Sequence, residues 1–144
     1  MKEQNFSNHS KYVPLFHFAT SSFIGLGLTG AIVNLVRACN HESGRLAGTV
    51  LVLVFIIAGL FFWYIRAFSL GAQDRAIRAE ENLRYFSIKG KLLDNRLTMR
   101  QIIALRFAPD DELVELSDRA VKENLKPTDI KQAIQQWKAD HDRI

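Results

Sequence analysis

The sequence predicts an all-α protein with a transmembrane helical hairpin, whose second span continues as a cytoplasmic stalk helix, and a small three-helix C-terminal domain. Two observations predict this fold. Almost all long apolar runs lie between residues 14 and 65, whereas residues 66–144 carry most of the charge. The charged part repeats apolar residues at three- and four-residue steps, the period of an amphipathic helix. The predicted segments are a cytoplasmic tail (1–13), a first span (14–36), an external loop (37–45), a second span (46–65), the stalk helix (66–90) and the helical domain (91–144).

The second span, residues 46–65, reads LAGTVLVLVFIIAGLFFWYI and holds no charged residue. Twenty helical residues extend about 30 Å, the thickness of the hydrocarbon core of a bilayer. The first span, residues 14–36, lacks Lys, Arg, Asp and Glu, and its glycines and hydroxyl residues are tolerated in membrane helices. Both segments are therefore predicted to cross a membrane.

The loop between the spans is nine residues long, so both termini are expected on the same side. Basic residues favour the cytoplasmic side of a membrane. The loop contributes Arg37 and Arg45, and the other side contributes Lys2, Lys11, Arg66, Arg75, Arg78 and Arg84. This two-to-six asymmetry predicts that both termini lie in the cytoplasm. The predicted membrane-interface anchors are Tyr12, Trp63, Tyr64 and Arg66.

Small residues recur at steps of four in the first span, at Ser21, Gly25 and Thr29, and Gly27 and Ala31 add to this small-residue face. Such a face lets another helix approach closely. We favour the interpretation that it packs on the second span of the same hairpin. The alternative is self-association or docking to a larger membrane partner.

The stalk places acidic residues four positions before basic ones, with Glu80 before Arg84 as one example, and this order stabilises a helix. Its apolar residues form one predicted stripe, which consists of Ala76, Ala79, Leu83 and Phe86. The helix is expected to end near Gly90.

Three short helices are predicted after residue 91. Thr98 and Gln101 fit a capping box at the start of the first. Asp110 is predicted to cap the second, and Pro127 to open the third through TDIKQAIQQWKADHDR. About fifty residues make a thin core, and domains of this size usually need a staple or a partner. We therefore expect the stalk stripe or a second copy of the chain to supply burial. The candidate interaction surface comprises Leu83, Phe86, Ile130, Ile134 and Trp137.

Four segments, KEQNFSNHSKYVPLFHF, AQDRAIRAEENLRYF, RLTMRQIIALRFAPDDEL and IKQAIQQWKADHDRI, resemble a family of small uncharacterised bacterial membrane proteins. The resemblance covers nearly the whole chain. It implies two membrane spans followed by a cytoplasmic helical tail, and it implies no activity.

The sequence was searched for common catalytic, nucleotide-binding and metal-binding motifs, and none of those named below occurs in it. It contains no GxGxxG, phosphate loop, HExxH or CxxC pattern, so we predict no catalytic residue, no metal site and no cofactor. The single cysteine, Cys39, precludes an intrachain disulfide. His17, the one histidine within a span, is expected to hydrogen-bond Ser21.

The resulting hypothesis is a non-enzymatic protein of the bacterial inner membrane, with both termini in the cytoplasm. Its cytoplasmic helical module is expected to bind another membrane or cytoplasmic protein, or a second copy of itself. One alternative is an accessory subunit of a transporter or respiratory complex. Another is a membrane-tethered nucleic-acid binder reading DNA through Gln132, Gln135 and Gln136. Residues 92–144 hold nine Lys/Arg against ten Asp/Glu, a net charge of −1, which disfavours nucleic acid as a partner.

Overall fold

A computed structural model describes residues 5–6, 13–40 and 43–140. Every regular element in these ranges is helical, which confirms the predicted all-α class. A π-helical segment, Leu15–Thr20, leads directly into α1, Ser21–Asn40. The remaining helices are α2 (Arg45–Lys89), α3 (Met99–Leu105), α4 (Asp110–Lys122) and α5 (Pro127–Ala133). The chain divides into two compact units, with the boundary between Ser69 and Leu70 inside α2.

The first unit contains α1 and the first part of α2, which contact each other along their lengths. As the residue number rises in α1, the number of its partner in α2 falls, so the two helices run antiparallel. The contacts join Phe16 with Phe62, Ile24 with Gly59, Gly27 with Phe55, and Leu35 with Gly48. Glycine permits two of these approaches. A Cβ atom on Gly27 would overlap the Phe55 ring, and one on Gly48 would lie 3.0 Å from Leu35 Cα.

Outside this contact line, the apolar side chains of the pair are exposed. Two helices, Leu15–Asn40 and Arg45–Lys89, are long and apolar enough to cross a membrane. In the most apolar 18 residues of each, only 6% is buried by the rest of the protein. The core helix of a soluble domain would bury most of such a stretch.

The second unit packs α3, α4 and α5 around a compact apolar core. Its largest fully buried side chains are Phe107, Leu105, Leu113 and Ile130. The capping box predicted for α3 is present, because Gln101 N donates to Thr98 Oγ1 while Thr98 N donates to Gln101 Oε1 at 2.8 Å. Pro127 occupies the first turn of α5, as predicted.

The part of α2 in this unit contributes to the same core. Ile77 and Tyr85 are 6% and 3% exposed and belong to the core cluster. Asn82 Oδ1 accepts a 3.1 Å hydrogen bond from Leu93 N, which fixes the chain where it leaves the helix. Gly90 follows α2 with a φ of +68°, a conformation that favours glycine. The thin core predicted for residues 91–144 is therefore enlarged by α2.

The prediction for the last helix was wrong in its length. α5 ends at Ala133, and Ile134 has an extended backbone. Glu112 of α4 explains the ending, because its carboxylate accepts hydrogen bonds from Gln135 N at 3.0 Å and Gln136 N at 2.9 Å. Lys138 N then donates to Phe107 O at 2.8 Å. These donors bond across the domain instead of within a helix.

Candidate interaction surfaces

The small-residue face predicted for α1 is covered only in part, and its residues at steps of four do not pack on α2. Ser21, Gly25 and Thr29 are all exposed, and a Cβ atom on Gly25 would meet nothing within 4 Å. The other two small residues of the predicted face are covered, because Gly27 contacts Phe55 of α2 and Ala31 is buried. The favoured interpretation is therefore wrong for the three residues at steps of four and right for Gly27. The hydroxyl of Thr29 donates to Gly25 O at 2.9 Å, so this polar group is satisfied within its own helix. The hydroxyl of Ser21 is bonded as well, since it donates to backbone oxygens of the preceding turn.

His17 and Ser21 interact in a different way from the predicted one. Ser21 Oγ donates to the backbone oxygen of His17 at 2.6 Å, while His17 Nδ1 lies 2.9 Å from Val13 O. The ring therefore turns back towards the start of the helix. Its edge also contacts Phe16, with the ring centroids 5.3 Å apart.

The predicted membrane-interface anchors lie on the outside of the helical pair where the structure describes them. Trp63 is 71% exposed, and Tyr64 stacks on Phe68 with ring centroids 5.6 Å apart. Arg66 is partly buried, and Tyr12 lies outside the described residues.

The candidate interaction surface divides between the core and the exterior. Ile130 and Ile134 are buried and Trp137 packs against Phe107, with ring centroids 5.0 Å apart. These three residues hold the domain together and do not form an exposed patch. Leu83 and Phe86, in contrast, are 69% and 50% exposed.

The exposed and buried faces of α2 lie on opposite sides of the helix. At 100° per residue, Ile77, Glu81 and Tyr85 project to one side, and Ala79 and Leu83 project to the other. The side with Ile77, Glu81 and Tyr85 is buried in the domain, so the predicted stripe is the face that the domain leaves uncovered.

Arg84 makes three hydrogen bonds, two of which join α2 to the start of α4 and the loop before it. Its Nε donates to Asp110 Oδ1 at 2.6 Å, its Nη1 to Glu81 Oε2 at 3.1 Å and its Nη2 to Ala108 O at 2.7 Å. The sequence predicted Glu80 as the partner of Arg84 and Asp110 as a helix cap, and both assignments were wrong. Pro109 is the N-cap residue of α4, and Asp110 bonds Arg84 instead.

Glu81 is an acidic residue inside the domain, and only 6% of it is exposed. Burial raises its pKa, and this effect outweighs the opposing influence of Arg84, Lys138 and Arg106, which favour the charged form. Burial of the charged Glu81 carboxylate therefore costs folding free energy, and the ion pair with Arg84 offsets only part of this cost.

A cleft of about 600 Å³ lies beside Glu81, between α2 and the C-terminal segment of the domain. Arg106, which is 7% exposed, borders it and pairs with Asp140 at 3.0 Å. Three charged groups that line the cleft are held in ion pairs, Arg106 with Asp140 and Glu81 with Arg84 outside the lining. Glu80 and Lys138 also line the cleft.

Comparison with known proteins gives one match. Residues 1–144 match the model of a family of unknown function, DUF6526. The chain belongs to the DUF6526 family. This confirms the resemblance to an uncharacterised family, and it assigns no activity. No curated protein and no solved structure matches the chain.

In this DUF6526 chain, sequence reasoning missed the face of α2 that holds the domain. The missed face consists of Ile77, Glu81 and Tyr85, which recur at steps of four, a helical spacing. Because an acidic residue at the centre of such a set usually indicates an exposed face, the sequence did not predict its burial. The feature of the sequence that could have indicated this burial is Arg84, which lies three residues after Glu81 and can neutralise it within the same helix.

Proposed function

We propose that this DUF6526 chain is a non-enzymatic, membrane-anchored protein whose helical module binds a protein partner. The observation that carries the proposal is the uncovered apolar surface of the helical pair. Exposed side chains such as Phe23, Leu26 and Phe61, which are 64–70% exposed, would be unfavourable in water over so large an area. A bilayer covers them without any additional protein.

The orientation proposed for this anchor follows the distribution of basic residues. Two lie in or beside the connection between the helices, and six lie beyond the opposite ends. This pattern supports a cytoplasmic position for the helical module, and the resemblance to bacterial membrane proteins supports the inner membrane of a bacterium. The exposed tryptophan and tyrosine at positions 63 and 64 are residues that favour a membrane interface.

The binding role is supported by the exposed side of α2. Leu83 and Phe86 are large apolar residues on a helix whose opposite side is buried in the domain. Apolar residues at such a spacing are a usual contact surface for another helix.

A second candidate function is an accessory subunit of a larger membrane complex, such as a transporter or respiratory complex. The open face of Ser21, Gly25 and Thr29 favours it, because small residues permit close helix packing in lipid. In this case the partner would bind the membrane helices rather than the module.

Fractionation followed by crosslinking tests the proposal. The full-length chain should remain with the membranes after washing with salt or carbonate and should be released only by detergent. Crosslinking in intact cells should then attach a partner that is lost when residues 70–144 are removed. Retention of the partner by the remaining helices would support the accessory subunit, and recovery of the chain without detergent would contradict both functions.

The orientation has its own test in Cys39, the one cysteine of the chain, which is exposed at the end of α1. A thiol reagent that does not cross membranes should label Cys39 from outside the cell. A tag at the C-terminus should stay protected. The reverse labelling pattern would contradict the proposed orientation.

A further inference from the structure

We propose that a second copy of this chain docks, parallel and in register, on the exposed side of α2. The contact face consists of Ala72, Ala76, Ala79, Leu83 and Phe86, and we call it the α2 seam. The proposal rests on the proposed function, since it names the partner of the same module.

The spacing of the seam is that of a coiled coil. Its five residues follow one another at steps of four, three, four and three, which places them at alternating d and a positions of two heptads. All five are exposed. A regular coiled-coil face that the chain itself leaves uncovered is self-complementary, because the same positions meet in two identical helices.

The domain is packed so that it does not obstruct the seam. Ile77, Glu81 and Tyr85, which contact the domain, occupy the b, f and c positions of these heptads. These positions face away from the partner in a two-stranded coil. Ala72 and Ala76 border the cleft beside Glu81, and both remain exposed.

The charges beside the seam favour a parallel arrangement. Arg75 lies at a g position and Glu80 at the following e position. In a parallel pair, g of one helix faces the next e of the other, so Arg75 of one copy meets Glu80 of the second, twice per dimer. An antiparallel pair brings g positions together instead, and the g residues within the seam are Arg75 and Asn82, which cannot form an ion pair.

The anchor explains how so short a coil can be sufficient. Two heptads extend about 20 Å and would be marginal between free molecules in solution. Two copies held in the same membrane with the same orientation are already parallel, and confinement raises their effective concentration.

Cysteine crosslinking of the full-length chain in its native membranes tests the proposal. In a Cys39→Ser background, Ala72→Cys and Leu83→Cys each place one thiol on the seam. Arg78→Cys is the matched control, because residue 78 is exposed on the same helix but lies off the seam. Disulfides need Cα atoms within about 7 Å, so both seam variants should oxidise to an adduct with the mass of two 16.4-kDa chains, roughly tenfold faster than the control.

Two seam positions are needed because they distinguish the orientations. Residues 72 and 83 are about 16 Å apart along a helix. An antiparallel pair can bring at most one of them near its counterpart, so crosslinking at only one of the two positions overturns the parallel arrangement. Equal rates for the seam and control variants overturn the seam.

Charge exchange gives an independent test on the Leu83→Cys background. Arg75→Glu and Glu80→Arg should each lower the crosslinking rate, because each opposes like charges across the pair. The double exchange should restore it, since the two pairs are then reversed. A double variant as slow as the single ones would overturn the charge pairing between copies.

The outcomes separate this inference from the proposed function. A chain that is retained by membranes and binds a different protein at the seam leaves the proposed function standing and overturns the dimer. A chain recovered without detergent contradicts the anchor, and the crosslinking rates measured in that fraction still decide the dimer.

Discussion

Arg84 Nε donates a 2.6 Å hydrogen bond to Asp110 Oδ1 across a separation of 26 residues in the sequence. The same guanidinium also bonds Glu81 Oε2 and Ala108 O. The Arg84 side chain is 12% exposed and the Asp110 side chain is 71% exposed. Loss of the Arg84 side chain should therefore reduce the free energy of unfolding more than loss of the Asp110 carboxylate. The ion pair between Arg84 and Glu81 is the one with both side chains shielded from water, so it is the pair that matters most for stability.

The first prediction concerns Arg84→Ala, which leaves the Glu81 carboxylate buried without its ion-pair partner. Breaking a buried pair in this way costs about 3–5 kcal/mol. Hydrogen exchange at the amides of α4, measured on the full chain in detergent, should show the loss. Asp110→Asn is the control, because an exposed ion pair contributes only about 0–1 kcal/mol. Equal losses for the two variants would contradict the unequal contributions.

The second prediction concerns the pH dependence of Glu81. Its pKa is raised in the folded state by burial, so the folded chain binds more protons than the unfolded chain. Stability should therefore fall as the pH rises above about 4.3, the ordinary glutamate value, until the folded-state pKa is passed. Glu81→Gln removes this titration and still offers Arg84 an acceptor.

Thermal unfolding of both chains between pH 4 and pH 8 measures this effect. The difference in stability between wild type and Glu81→Gln should shift in favour of the variant as the pH rises. A wild type that gains stability relative to the variant over this range would show that the ion pair with Arg84 outweighs burial.

The third prediction concerns two glycines of α1 that differ in their surroundings. Gly27→Leu should destabilise the helical pair by about 1–3 kcal/mol, the usual cost of overpacking, because its Cβ atom would overlap the Phe55 ring. Gly25→Leu should leave the pair intact, because a Cβ atom there meets nothing within 4 Å. Unfolding in mixed detergent micelles, followed by helical circular dichroism, compares the two. Equal stabilities would contradict the packing of α1 on α2.

The fourth prediction concerns Glu112, which holds the segment after α5. Glu112→Ala removes the acceptor of two backbone donors, and a hydrogen bond to a charged group contributes about 1.5–3 kcal/mol. The amides of Gln135 and Gln136 should then exchange at least about tenfold faster. Glu115→Ala is the control on the same helix, since residue 115 is exposed. Unchanged exchange at both amides would contradict the role of Glu112.

Local signals in the sequence were sufficient for several elements. The capping box of Thr98 and Gln101 and the position of Pro127 depend on residues within one helical turn, and the structure confirms both. The two long apolar helices were predicted from composition alone. Such features need no knowledge of the remaining chain.

The features that were missed depend on contacts distant in the sequence. The end of α5 is set by Glu112, 23 residues before its first bonded amide, whereas the local pattern continues to favour a helix. The buried face of α2 includes Glu81, which periodicity assigns to the surface. Its neutralisation requires Arg84 to be fixed by Asp110 and Ala108 of another segment.

Four residues separate the end of α1 at Asn40 from the start of α2 at Arg45. For the proposed anchor, this short connection affects how the two helices enter the membrane during biosynthesis. Neither helix can insert far ahead of the other, because the tether between them is too short, so the charged bend must be translocated together with both. The transfer of Arg37 and Arg45 is then driven by the combined hydrophobicity of two helices that enter the lipid as one unit.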